Sequence, residues 1–342
     1  MELGTTYLGL RLSSPIIVGS GPLDSMIETA KLCAKSGAGM LVMHSLFQEQ
    51  FTAEQAADHW GMEHGSGPEA ERLRAGEVQA DEYPLRPDEY FEALSELKQT
   101  LAIPVVGSIN GTAPGNWIMF AREMESAGAD AVELNIYDPV LEGELSAQAV
   151  ERRVLETVRL ARGAVKVPLS VKVGPYYTSF GNLARELDNA GADGIVMFNR
   201  FYQPDFDINA LRVYRRLQLS TSDELLLRLR WAAALSGKIR ASIAVTGGVH
   251  TGLDVIKAVL AGAHAVQVVS CLVQHGAGHL TVMRNEMEGW LKAHGDKAGA
   301  TSLEALRGKL SLANMAKKAG DREAFERANY VNLLSGKEGV VA

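Results

Sequence analysis

Four times along this chain a small-residue signature that ends a helix runs directly into an apolar strand closed by a polar residue. The stretches are Ser36-Gly-Ala-Gly-Met-Leu-Val-Met-His44, Ala127-Gly-Ala-Asp-Ala-Val-Glu-Leu-Asn135, Ala190-Gly-Ala-Asp-Gly-Ile-Val-Met-Phe-Asn199 and Ala261-Gly-Ala-His-Ala-Val-Gln-Val-Val-Ser270. Glycine just past a helix supplies the left-handed cap, and a short apolar run reads as a strand buried on both faces. A helix-to-strand join repeated this often implies consecutive βα units around a parallel sheet. Between the four lie further candidate strands at Pro15–Ser20, Pro104–Asn110, Pro168–Gly174 and Ser242–Gly248. Three begin with proline, which is tolerated at a strand's first position because its missing N–H is not yet needed. Eight strands in succession with helices between them predict an α/β fold, a (β/α)8 TIM barrel that keeps its chemistry at the strands' C-terminal ends.

Composition narrows the function classes. The 342 residues carry a net charge of −7 and 46% hydrophobic side chains, enough for one large core. Lysine and arginine form no runs, which argues against a nucleic-acid partner. No apolar stretch approaches the ~20 residues that cross a bilayer, and the N-terminus lacks the basic and apolar regions of a secretory signal. The two cysteines, Cys33 and Cys271, form no CxxC pair, so neither a disulfide framework nor an iron–sulfur or zinc site is expected. The expected location is cytoplasmic, with no metal.

Residues 1–14 read as a lead-in, Tyr7-Leu-Gly-Leu10 then Leu12-Ser-Ser14, folding as a hairpin that plugs the barrel floor. The longest connection, Gln48–Tyr90, leaves the second strand and contains the glycine-rich Trp60–Pro68; a loop of that length overhangs the active face as a lid. A second insertion, Arg200–Leu229, follows the sixth strand on the same face. The expected division is a barrel over residues 1–295 and a C-terminal helical extension over 296–342. Its helix candidates, Leu303–Ala313 and Arg322–Leu334, are amphipathic and pack on the barrel or on a partner subunit.

The strand ends carry the chemistry. Thr246-Gly-Gly-Val-His250 sets a glycine pair after the seventh strand and ahead of a helix starting near Thr251. Backbone N–H groups freed by glycine and backed by a helix N-terminus cradle phosphate, and barrels hold phosphate after strands seven and eight. The eighth strand ends Val269-Ser-Cys271. A plain tight turn is the alternative. The other strand ends supply Ser20, His44, Ser45, Asn110, Asn135, Lys172 and Asn199. Three asparagines suit the edge of a planar heterocycle, since each offers a donor and an acceptor; carboxylates are too scarce there to ligate a divalent metal. An inward lysine on the fifth strand places positive charge beside a flavin's N1/C2=O edge. The alternatives for Lys172 are a Schiff base and a pairing with a carboxylate across the barrel mouth.

Together these residues resemble the dihydroorotate dehydrogenase superfamily of FMN-binding barrels, in a divergent dihydroorotate dehydrogenase-like branch. Pro15-Ile-Ile-Val-Gly-Ser-Gly-Pro22 is similar to that family's first-strand motif. Glu133-Leu-Asn135, then Pro139, is similar to its Asn-x-Ser-Cys-Pro-Asn stretch. Pro168-Leu-Ser-Val-Lys172, Asn199, Thr246-Gly-Gly248 and Val269-Ser270 match its remaining flavin contacts in order, over about residues 3–295. The resemblance implies a non-covalent FMN and an oxidoreductase of pyrimidine metabolism acting on a CH–CH bond beside a carbonyl, with hydride passing between substrate carbon and flavin N5. It implies that Ser20, Asn135, Lys172 and Asn199 hydrogen-bond the isoalloxazine or the substrate, with Asn110, His44 and Ser45 close by. Gly247, Gly248, Ser270 and Cys271 would hold the FMN phosphate through backbone N–H groups. No pyridine-nucleotide domain is evident, so the electron donor or acceptor is expected to be a separate molecule or subunit, and the chain a homodimer.

Two segments depart from the family pattern, the loop after the fourth strand and the end of the second. Where it carries a Cys or Ser base after the fourth strand, this chain has Asp138 preceded by Tyr137. A proton must leave carbon as hydride departs, which needs a base within hydrogen-bond reach; Asp138 and Tyr137 are the candidates, with a simple turn as the alternative. The asparagine after the proline is Val140, removing an amide partner for orotate worth about 1–3 kcal/mol. At the second strand His44 stands where the family carries a lysine beside the flavin. Two rival readings remain at this stage: a phosphate-binding barrel aldolase or synthase working through Lys172, and a catalytically silent barrel subunit.

Overall fold

Eight parallel strands pair side by side until the last meets the first, closing a barrel. The computed structural model describes residues 2–22, 27–47, 85–111, 114–138, 140–141, 143–200, 203–214, 216–315, 325, 331 and 334–335. In chain order the strands are β1 (Thr5–Tyr7), β2 (Leu10–Leu12), β3 (Ile16–Val18), β4 (Met40–Phe47), β5 (Val105–Gly111), β6 (Ala131–Ile136), β7 (Leu169–Val173), β8 (Gly194–Met197), β9 (Asp205–Asp207), β10 (Arg212–Tyr214), β11 (Ser242–Thr246) and β12 (Ala265–Val268). The barrel runs from β3 through β8, then β11 and β12, and back to β3. These are the eight strands read from the sequence, in sequence order. The helices are α1 (Ile27–Ser36), α2 (Pro87–Thr100), α3 (Pro114–Ser126), α4 (Ala147–Ala164), α5 (Phe180–Asn189), α6 (Leu225–Leu235), α7 (Gly252–Ala261), α8 (Ser270–His275), α9 (His279–His294) and α10 (Leu312–Met315).

One geometry explains the repeated signature. Gly37, Gly128, Gly191 and Gly262 hold φ at 111°, 96°, 101° and 125°, the left-handed region that a side chain disfavours. The alanine after each donates its N–H five residues back, Ala38 to Cys33, Ala129 to Met124, Ala192 to Leu187 and Ala263 to Ala258, the bond that closes a Schellman cap. The next residue fastens the helix end to the neighbouring strand. Asp130 Oδ2 accepts from the Val105 N–H at 2.7 Å, Asp193 Oδ2 from Leu169 at 2.8 Å and His264 Nδ1 from Ile243 at 3.0 Å. In the first copy that residue is Gly39, where a Cβ would lie 2.0 Å from the Ser14 carbonyl oxygen.

The barrel interior is layered because alternate residues of a strand face the same way. At the bottom, the antiparallel β1–β2 hairpin packs Tyr7, Leu8 and Leu12 against Ile17, Met40, Val106, Ala131, Val196, Ala244 and Ala265, the plug expected from the sequence. Gly194 makes room for it, since a Cβ there would lie 2.4 Å from Leu8 Cδ2. Two residues further along their strands, Ser108, Glu133 and Gln267 form a buried polar layer with Ser170. Two residues further again come Asn110, Asn135 and Lys172 at the mouth.

One expectation needs correction, and one segment gains detail. Leu303–Ala313 is not one helix: it divides into a 3-10 turn at Glu304–Leu306 and the start of α10, because Gly308 between them holds φ at 72°. Within the Arg200–Leu229 segment the chain forms the antiparallel β9–β10 hairpin and enters α6. The described part of the C-terminal extension docks on the barrel: Leu303 N–H donates to Glu2 O at 3.0 Å, and Gly308 and Leu310 donate to the Val259 and Leu260 carbonyls at 2.9 Å each. Most of the Gln48–Tyr90 lid, Pro139, and most of Arg322–Leu334 lie outside the described residues.

Candidate active site

A cavity of about 980 Å³ opens at the C-terminal mouth of the barrel. Its walls include Ser20, Asn135, Lys172, Asn199, Gly247, Gly248 and Ser270, so seven of the expected contacts converge on one space. Tyr137 joins them from the loop after β6, and Arg200, Arg216 and Gln218 border it from the segment after β8.

The near wall is held by hydroxyls. Ser45 Oγ lies 3.1 Å from Ser20 Oγ and 2.8 Å from Ser108 Oγ, and it accepts from Asn135 Nδ2 at 3.1 Å. Ser45 is outside the cavity lining; it ties together two residues that are in it. Asn199 donates to the Ile136 carbonyl at 2.9 Å, pinning the end of β8 to that of β6. His44 and Asn110 are likewise absent from the lining among the described residues. His44 is buried with its ring edge-on to Tyr90, centroids 5.1 Å apart, and Asn110 ends β5 opposite Asn135.

The floor is charged. Lys172 is 8% exposed, and its Nζ lies 3.8 Å from Glu133 Oε1, an ion-pair contact longer than a hydrogen bond. Gln267 Nε2 donates to Glu133 Oε2. Glu133 and Gln267 are each 1% exposed. Among the described residues three buried acceptors, Glu133 Oε1, Gln267 Oε1 and Asn135 Oδ1, have no hydrogen-bond partner, and Gln267 and Asn135 line the cavity. Below them the Tyr7 hydroxyl is pushed well above the ordinary phenol range by burial and then by the Glu133 charge.

At the far wall, Gly247 and Gly248 hold φ at 83° and 81°. A Cβ on Gly248 would lie 2.4 Å from the Leu225 N at the start of α6, and one on Gly247 2.8 Å from Arg228 Nη2. The glycine pair is therefore demanded by packing on α6 whatever the cavity holds. Among the described residues the N–H groups of Gly248 and Val249 have no acceptor, and both residues line the cavity, which leaves two donors available to an anion. Arg228, buried, braces the turn by donating to the Thr246 carbonyl at 2.9 Å and the Glu224 carbonyl at 2.7 Å; burial lowers its guanidinium below the usual range. Cys271 is buried outside the lining, and burial raises its thiol to about 12, so its side chain stays a neutral packing group.

The two loop candidates separate. Tyr137 lines the cavity, whereas Asp138 does not. Asp138 Oδ2 is paired with Arg153 and its Oδ1 accepts from the Val140 N–H at 3.2 Å. Nearby Tyr177 is raised to about 12 by burial and then by Asp138. Among the described residues no cluster of three or more His, Cys, Asp or Glu side chains is placed to hold a metal.

Sequence reasoning missed Gln267, Arg228 and the structural role of Glu133. The signal for two of them was present: a polar residue in the middle of an otherwise apolar buried strand, as in Ala131-Val-Glu-Leu-Asn135 and Ala265-Val-Gln-Val268.

The chain matches the family model described as dihydroorotate dehydrogenase over residues 80–291. It is 30% identical over 296 residues to a protein of Aeropyrum pernix named as a dihydroorotate dehydrogenase A (fumarate), covering 84% of this chain and 91% of that one. It is 27% identical over 278 residues to the dihydroorotate dehydrogenase B (NAD(+)), catalytic subunit, of Methanocella arvoryzae, covering 80% and 88%. To the protein of the same name from Pyrococcus abyssi it is 27% identical over 304 residues, covering 86% and 95%.

Proposed function

The chain belongs to the dihydroorotate dehydrogenase family, and on that premise we propose that it is a flavin-dependent oxidoreductase that holds one FMN in the barrel mouth and acts on a CH–CH bond beside a carbonyl. One observation carries the cofactor assignment. Among the described residues the cavity floor offers two buried acceptors without partners, on Gln267 and Asn135, beside the Lys172 ammonium. Buried polar groups require partners, and the pyrimidine edge of a flavin brings both the N–H and the carbonyl groups that this set lacks. The bound flavin supplies the hydride acceptor or donor at N5.

The chain's own residues do the rest. Ser20 and Asn135, cross-tied through Ser45, keep the ring in one orientation. Lys172 sets positive charge beside it, a role that family membership favours over Schiff-base formation. The N–H groups of Gly248 and Val249, with Ser270, take the phosphate. The Tyr137 hydroxyl passes the second proton to or from the substrate, while the Asp138–Arg153 pair anchors its loop. Val140, in place of an amide, favours a substrate other than dihydroorotate itself.

The electron partner is a separate molecule or subunit, in keeping with relatives named for fumarate or as catalytic subunits. The β9–β10 hairpin leaves Phe206, Ile208, Leu211 and Val213 exposed, which supports a homodimer formed through it. No described helix is long and apolar enough to cross a membrane; cytoplasmic residence is part of the proposal, as is a 296–342 extension distinct from the barrel. The test is anaerobic mixing of the FMN-reconstituted protein with a panel of dihydropyrimidines and related donors. At least one is expected to bleach the flavin. A protein that takes up no FMN, or whose flavin dithionite reduces and every organic donor leaves oxidised, overturns the reading.

A further inference from the structure

We propose that Glu133 is a positioning residue: a buried carboxylate beneath the cavity that orients the Gln267 amide and holds the Lys172 ammonium, and so fixes which edge of a heterocycle the floor accepts. The inference deepens the flavin reading above and rests on it.

An ionised carboxylate only accepts hydrogen bonds. Its contact with Gln267 must therefore be an N–H donation, as the Nε2–Oε2 pairing has it. Turning the amide over would set two acceptors face to face. The Gln267 NH2 is thus committed to Glu133, and among the described residues its carbonyl oxygen has no partner, on a residue that lines the cavity. The second carboxylate oxygen faces Lys172 Nζ at 3.8 Å. A carboxylate this deeply buried persists as a charge only beside a compensating one, and among the described residues Lys172 is the cation within 4 Å.

The neighbours of this layer show what it is not for. Immediately below, the β1–β2 plug closes the barrel with a layer that is apolar apart from the Tyr7 hydroxyl. An apolar pair in place of Glu133 and Gln267 would continue that core without an unpaired carbonyl, so packing alone does not explain them. What the arrangement achieves is polarity: an acceptor on Gln267 and a cation on Lys172, both set by one carboxylate reaching them from β6. A ligand must then present an N–H to the first and a carbonyl or negative charge to the second. In an oxidised flavin the one ring N–H is at N3.

The test uses full-length Glu133→Gln, Glu133→Asp, Lys172→Met and the Glu133→Gln/Lys172→Met double variant. In flavin-free protein, Lys172→Met leaves the carboxylate unpaired and lowers Tm by several degrees; adding Glu133→Gln recovers most of that loss, a non-additive cycle. In titrations with FMN and N3-methyl-FMN, the wild type prefers FMN by at least about tenfold, the discrimination of a site whose buried acceptor loses its N–H. Glu133→Gln frees the Gln267 amide to turn and the preference falls toward unity, while Glu133→Asp restores it. Additive melting shifts, or the same preference in wild type and Glu133→Gln, would overturn the inference. A wild type that binds neither flavin refutes the flavin reading alone, and the melting cycle still decides whether Glu133 and Lys172 form one unit.

Discussion

At the scale of single residues, the site separates groups that touch the cavity from groups that hold them. Tyr137 touches it and Asp138 does not. Replacing Tyr137 by Phe is expected to lower kcat roughly 10²- to 10⁴-fold, the usual contribution of a positioned acid or base, with FMN affinity unchanged in a fluorescence titration. An unchanged kcat assigns the proton to another group. A second residue-scale prediction concerns His264, which burial depresses from the ordinary 6.5 to about 4. Above 6.5 the ring is neutral in folded and unfolded chain alike, so it adds no pH dependence. Between 6.5 and 4 the unfolded chain takes up a proton that the native ring refuses, and stability is lost as pH falls, by on the order of 3 kcal/mol. His264→Asn, which keeps an acceptor for the Ile243 N–H, should flatten urea-derived stability across that window; an unaltered slope would show that other groups set it. The residues at strand ends were legible because each sits at the end of its own apolar run. Glu133 and Gln267 were not, because their pairing spans 134 positions and only barrel closure brings them together.

At the scale of elements, the joins between helix and strand were read correctly because they are local: a glycine cap and the residue after it are enough. The same joins yield a prediction. Asp193→Ala removes the acceptor for the Leu169 N–H and the partner of Arg162, and should cost about 1–3 kcal/mol in chemical denaturation. Gly194→Ala, one position on, drives a methyl into Leu8 and should cost about 1–3 kcal/mol by overpacking, with Leu8→Ala partly relieving it. Simple additivity of those two changes would show that the plug does not bear on β8. The β9–β10 hairpin was illegible. Its turn, Ile208-Asn-Ala-Leu211, lacks the Asn-Gly or Asp-Gly pair that marks two-residue hairpins and is held instead by Asp207 Oδ1 accepting from the Asn209 and Ala210 N–H groups at 3.0 and 2.9 Å. The C-terminal segment misled for the opposite reason: its amphipathic spacing continues across Gly308, where the helix does not.

At the scale of the whole molecule, the barrel's three inner layers divide the labour. The apolar plug fills the bottom of the barrel; on the proposed reading the buried charged layer orients a ligand and the mouth binds it. The apolar β9–β10 hairpin, which with the cavity-lining Asp205 borders that mouth, is the surface on which the proposed dimer is tested. Phe206→Ser with Leu211→Ser is expected to shift sedimentation from dimer to monomer while leaving FMN bound, and a variant that stays dimeric moves the interface elsewhere. The measurement that bears most directly on the account is a crystal structure of the protein grown with FMN. The ring is expected against Lys172, Asn135 and Gln267, with the phosphate on the N–H groups of Gly248 and Val249. FMN found outside the mouth, or a mouth that excludes it while the barrel is intact, would contradict the account.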